Sequence, residues 1–145
     1  MEKTNKTFFI DIDGTIFKHL SNDEIDELIE NRGDKSHEGE EVLPNAKEFL
    51  TSIAGENMII LTTAREKHHH AHTIKALTYM GIPYDRILFG MRAGPRVVIN
   101  DIKPIGTAGN RKPLDTAFAM NVERDSGDYS EYERINNLIK SQIGS

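Results

Sequence analysis

Short apolar runs recur along the chain, each closed by a charge or a turn residue. The first is "TFFIDID" (7–13), followed by "NMIILT" (57–62) and "RVVIN" (96–100). "RILF" (86–89) and "AFAMNV" (117–122) are shorter and weaker. Brief runs rich in Val, Ile and Phe, bounded by turn residues, predict strands covered on both faces. Between them the apolar positions return every three or four residues. In "PNAKEFLTSIAG" (44–55), Ala46, Phe49, Leu50 and Ile53 share a helix face. Pro44 suits the first turn and Gly55 the end. "REKHHHAHTIKALTYMG" (65–81) carries Ala71, Ile74, Leu77 and Met80, and "SEYERINNLIKSQI" (130–143) carries Tyr132, Ile135, Leu138 and Ile139.

The stretch between the first strand and the Pro44 helix is less regular. "SNDEIDELIE" (21–30) has Ser21 and Glu24 at capping-box spacing, with Ile25, Leu28 and Ile29 on one face. "NRGDKSHEGEE" (31–41) is polar and contains glycine, which predicts an exposed loop, as does "IKPIGTAGNRKP" (102–113). Strands alternating with helices predict an α/β chain with a mostly parallel central sheet and right-handed crossovers, a Rossmann-like three-layer sandwich. No repeat divides the sequence, so residues 1–145 are expected to form a single domain.

Composition narrows the classes. The chain has 145 residues, 37% hydrophobic and 28% charged, the balance of a globular protein rather than a disordered one. A formal net charge of −5 disfavours a long duplex-binding surface. The absence of cysteine excludes disulfides and thiolate chemistry and fits a reducing, cytoplasmic setting. No apolar run is long enough for a signal peptide or a spanning helix.

Ligands of open parallel sheets bind at the carboxyl ends of the strands. Three of the expected ends carry polar chemistry: Asp11 and Asp13, then Thr62, Thr63 and Arg65, then Asn100 and Asp101. Carboxylates gathered in one crevice repel unless a cation lies between them. Mg²⁺, a hard ion that favours oxygen ligands, fits such a set, and with a hydroxyl and a base nearby suits phosphoryl transfer.

"DIDGT", "IILTTAR" and "VVIND", in that order, resemble the motifs of the haloacid dehalogenase superfamily of aspartate-nucleophile phosphatases. The resemblance runs from about residue 6 to 104. It implies that Asp11 is the nucleophile and Asp13 the general acid and base. It implies that Thr62 binds a phosphoryl oxygen. Thr63 and Arg65, directly after it, are further candidates for binding phosphate or substrate, Arg65 as a cation. Asp11, Asp101 and the backbone carbonyl of Asp13 would hold Mg²⁺, with Asn100 acting through its water shell. The family's basic residue is matched by Arg92, nine residues before Asp101, or by Arg96; Lys67 and Lys103 are weaker candidates. No large cap is expected. Residues 15–43 would form a flap, and the site would stay open to a large substrate or to a neighbouring subunit.

Plainer readings stand beside these. The aspartates could finish a strand, Thr62 and Thr63 likewise, and Asn100–Asp101 could open a turn. Arg65 could be a surface residue at a helix start. In "KHHHAH", His68 and His72 share a helix face, yet the helix supplies no acidic partner, so surface or pocket-edge histidines are the expectation. "RGD" (32–34) reads as chance, and Arg111, Lys112 and Arg124 as a solvated face.

The expected function is a Mg²⁺-dependent phosphomonoesterase acting on a small phosphorylated metabolite, a sugar phosphate by resemblance. A nucleotide or polynucleotide-end phosphatase, a phosphotransferase and a non-catalytic binding domain are the alternatives. Nucleic acid and membrane are not expected partners.

Overall fold

The computed structural model describes residues 5–143. Its elements run β1 (Thr7–Asp11), α1 (Asn22–Arg32), a 3₁₀ segment (Gly33–Gly39), α2 (Ala46–Ile53) and β2 (Met58–Thr62). A 3₁₀ turn (Lys67–His69), α3 (His70–Tyr79), β3 (Arg86–Leu88) and α4 (Tyr132–Ile143) follow. The strands form a parallel sheet in the order β1–β2–β3. The chain is therefore α/β, compatible with a Rossmann-like fold. Among the described residues, no helix is long and apolar enough to cross a membrane.

The chain divides into two compact units. The first comprises the residues up to Ala93 together with Val122–Asp128. Its core holds Ile10, Ile12, Ile16, Phe17, Ile25, Leu50, Ile59, Leu61, Ala76 and Leu77, all buried. In parallel strands, paired residues point to the same side. Ile10 beside Leu61 and Phe8 beside Ile59 thus form one apolar face, and Phe8 meets Phe49 of α2 edge-on at 6.2 Å. The opposite face is less covered: Phe9 is 55% and Leu88 46% exposed.

Local chemistry explains the helix limits. Ser21 Oγ accepts from the Glu24 amide at 3.1 Å, and Glu24 Oε1 accepts from the Ser21 amide at 3.0 Å. This is the reciprocal cap the spacing predicts. Residues 31–41 depart from the expected exposed loop. They coil into the Gly33–Gly39 3₁₀ segment, which packs on α1 and α3 and buries Ser36, with Glu40 just beyond it also buried. Residues 15–43, expected as a flap, are accordingly folded. Their base is closed where Leu43 N–H donates to Ile16 C=O and Lys18 N–H to Glu41 C=O, both at 2.8 Å.

The second unit comprises Gly94–Asn121 and the residues from Tyr129 onward. Here the sequence expectation fails: neither 96–100 nor 117–122 is a strand. Val97, Val98 and Ile99 are 81%, 52% and 92% exposed. A short β-branched run becomes a strand only when an edge pairs with it, because β propensity is largely a preference for packed context. The unit's described pairing is instead a single bridge between Lys103 and Leu114. Gln142 of α4 bonds both backbone groups of Asp115, at 2.8 and 3.3 Å.

Val122–Asp128 crosses the β1 loop in the first unit. Asp125 N–H donates to Gly14 C=O at 2.8 Å, and Asp125 Oδ1 accepts from the His19 amide at 2.7 Å. Asn45 Nδ2 donates to Gly127 C=O at 3.1 Å. Gly127 has φ +64°, and a Cβ there would collide with the Pro44 carbonyl oxygen. Gly127→Ala is expected to destabilise the protein by about 2 kcal/mol or more, from the unfavourable φ and the clash. Urea unfolding measures it; an unchanged midpoint would contradict this packing.

Candidate active site

Asp11 closes β1 and pairs in register with Thr62, the last residue of β2. The ladder continues one step further, with Ile12 N–H donating to Thr62 C=O at 3.1 Å. The chain then turns sharply. The amides of Thr15, Ile16 and Phe17 converge on the Ile12 carbonyl at 3.3, 2.9 and 3.0 Å. Gly14 has φ +82°, a backbone state that glycine adopts without steric cost. A Cβ at Gly14 would also lie 3.0 Å from Cγ of Arg124. The turn thus carries Asp13 past the strand end and seats the Arg124 stem against its glycine.

Asp13 is held by β2's continuation. Thr63 Oγ1 donates to Asp13 Oδ2 at 3.3 Å and accepts from the Arg65 amide at 3.1 Å. Arg65 Nη2 donates to Asp13 Oδ1 at 2.7 Å, while Nε lies 3.2 and 3.1 Å from the two oxygens. The Arg65 side chain is almost fully buried, whereas 18% of the Asp13 side chain stays open. Arg65 is therefore neither a surface residue nor a cation turned to substrate. Its Nη1 donates to Glu40 Oε2 at 2.6 Å and Thr73 Oγ1 at 3.0 Å, and its Nη2 also reaches Glu40 Oε1 at 3.1 Å. All five guanidinium hydrogens face protein acceptors, the number an arginine carries. Burial alone would lower the Arg65 pKa, but the bonds and charges of Asp13 and Glu40 outweigh it and raise it.

Glu40 was not legible as a site residue. Burial pushes its carboxyl up, but hydrogen bonds from His72 and Arg65, with their charges, bring it below the usual carboxylate range. His72 Nε2 lies 2.7 Å from Glu40 Oε2, and its Nδ1 lies 2.8 Å from Ser36 Oγ. Ser36, His72 and Glu40 have the connectivity of a hydrolytic triad, yet all three are buried and Glu40 already answers Arg65. A nucleophile must meet its substrate, so the chain of bonds reads as support for Arg65 rather than as a reaction centre.

The basic candidates separate. Gly90 N–H donates to Arg65 C=O and Met91 N–H to Thr63 C=O, both at 3.0 Å. Arg92 follows directly and is exposed beside the end of β2. Arg96 lies in the second unit, where its Nη1 bonds Gly94 C=O at 2.6 Å. Lys67 is exposed in the 3₁₀ turn, and Lys103 is exposed at the bridge. Arg124 is exposed, as expected, and its stem lies over the Asp13–Gly14 turn, a contact that no local pattern could show because it spans the chain. Asn100 and Asp101 also belong to the second unit and are exposed. There Asn100 Oδ1 accepts from the Asp101 amide at 3.1 Å and its Nδ2 reaches Thr116 C=O at 3.4 Å. The structure thus brings together Asp11, Asp13, Thr62, Thr63 and Arg65 within one unit. Compared with family models, curated proteins and solved structures, the chain matches none.

Removing one partner of a buried ion pair leaves an uncompensated charge. Glu40→Ala should therefore cost about 3–5 kcal/mol of unfolding free energy, measurable by urea titration. The pH dependence has a definite sign. Because the folded pKa of Glu40 lies below its unfolded value, its contribution is complete above about pH 4.3 and is lost as pH falls through the folded value. Glu40→Gln should flatten that acid limb; an unaltered limb would show that other carboxylates set it.

Proposed function

We propose that the protein is a phosphomonoesterase of the haloacid dehalogenase type, acting through an aspartyl-phosphate on a small phosphorylated metabolite, with a sugar phosphate as the preferred class. The observation that carries the reading is the junction of β1 and β2. A carboxylate and a threonine share one rung at the carboxyl end of a parallel pair, and a second carboxylate is oriented just beyond them. Such a rim can attack phosphorus, bind its oxygens and move a proton within one small space.

In the first half-reaction Asp11 attacks phosphorus, the ester P–O bond breaks, and Asp13 gives a proton to the leaving oxygen. In the second, Asp13 takes a proton from water as that water attacks the phosphorus of the aspartyl-phosphate. Phosphate leaves and Asp11 is restored. Thr62 would donate to a phosphoryl oxygen. Arg65 acts on Asp13 and not on substrate: its fork and the Thr63 hydroxyl fix the carboxyl's orientation. Arg92 is favoured over Arg96 as the phosphate-binding cation because its backbone neighbours are tied to Thr63 and Arg65.

The donors at the β1 end, the Asp11 carboxylate and the Asp13 backbone carbonyl, are oxygens, a set that fits Mg²⁺ better than softer ions. The ion would supply neutralisation of charge on the phosphoryl oxygens.

Phosphate release from a panel of phosphorylated sugars and nucleotides tests the reading. Asp11→Asn should lower turnover by several orders of magnitude, as loss of a nucleophile does, and excess chelator should abolish it. Near-normal hydrolysis by the variant would refute the mechanism. Arg92→Ala should impair turnover more than Arg96→Ala; equal, wild-type rates in both would remove Arg92 from the site.

A further inference from the structure

The histidine tract gains a partner that its own helix lacks. Asp26, on the exposed side of α1, meets the 3₁₀ turn before α3. Its Oδ1 lies 3.2 Å from His68 Nε2 and 2.7 Å from His69 Nε2. The two imidazoles are tilted against each other with centroids 3.9 Å apart. One ligand atom from each of Asp26, His68 and His69 falls within 4.8 Å of the others. His72, the residue that helical spacing pairs with His68, is instead buried on Glu40 and Ser36.

We propose that Asp26, His68 and His69 form a binding site for a divalent cation of the zinc class, separate from the reaction centre. The chemistry follows from the donors. Two imidazole nitrogens, which are borderline donors, joined by one carboxylate oxygen make a set that favours Zn²⁺ over Mg²⁺ or Ca²⁺. In a tetrahedral site with bonds of about 2.0–2.1 Å, ligand atoms stand roughly 3.3 Å apart. The present separations of 3.2 and 2.7 Å are close to that edge, so small side-chain shifts admit an ion. His68 and Asp26 are about half exposed, giving the ion an entry path, while His69 is fully buried and fixes the floor. Nδ1 of His69 is buried without a partner among the described residues, so burial and the Asp26 contact hold this ring. With three protein ligands, a fourth position stays open to water. The bound ion would fasten α1 to the turn that follows Arg65.

The site is tested on chelator-stripped full-length protein by titrating Zn²⁺ against a chromophoric chelator and by following thermal unfolding. The wild-type chain should take up one equivalent and melt at a higher temperature with Zn²⁺ present. Asp26→Asn and His68→Ala, both at exposed positions that leave the core intact, should each weaken uptake at least tenfold and erase the thermal shift. His70→Ala is the control for histidine content, since His70 stacks on Phe89 at 3.7 Å, and it should bind normally. Asp11→Asn should also bind normally, which separates this ion from one at the reaction centre. The absence of stoichiometric uptake by the wild type, or undiminished uptake in both ligand variants, would overturn the proposal.

Discussion

A buried guanidinium holds the first unit together. Arg65 stands just after β2 and bonds Asp13 from the β1 loop, Glu40 from the close of the α1 excursion and Thr73 from α3. Desolvating a guanidinium costs several kcal/mol, and only full hydrogen bonding offsets that cost. The network is therefore close to all-or-none: each partner is needed to justify burial of the others. An apolar side chain of similar volume could fill the space with equal or greater stability. It could not orient a carboxyl group, and that directional demand is what an arginine satisfies at this position.

Much of the scaffold was legible because its signals are local. The Ser21–Glu24 cap, the glycines after α2 and α3, and the three strands with crossover helices between them all follow from spacing along the chain, whereas α2 starts at Ala46, past Pro44 and behind an Asn45 cap. The rim residues of β1 and β2 were legible too, since a parallel sheet brings its strand ends together. What escaped depends on contacts between distant residues. Glu40 lies in a polar stretch that resembles any solvated loop, and its burial is explained by partners far along the chain, Arg65 25 positions later and His72 beyond it. Arg124 reaches the Gly14 turn by a route that no periodicity encodes.

The histidine tract and the 96–100 run show two further limits of pattern. Helical spacing pairs His68 with His72, but a 3₁₀ turn at Lys67–His69 breaks the α-helical period and sends the neighbouring histidines in different directions. His68 and His69 turn to α1, His70 stacks on an aromatic ring, and His72 enters the arginine network. Conversely, "RVVIN" has strand composition without a strand. Its β-branched residues favour extended backbone, but a ladder needs a second edge, and composition carries no information about whether one is supplied.

The closed base of the 15–43 excursion has a consequence for how the chain could vary. Two backbone bonds and the Glu40 ion pair seal this loop at one end, while residues 30–35 at its far end are all exposed. Lengthening a loop whose ends are already fastened is cheap: each doubling costs about 0.6 kcal/mol in closure entropy. The exposed junction at Arg32–Gly33, where α1 passes into the 3₁₀ segment, is therefore a graft point. A peptide, a tag or a whole small domain inserted there would leave Asp13, Glu40 and Arg65 in their present partnership. The same insertion between Glu40 and Leu43 would break the seal and the ion pair together.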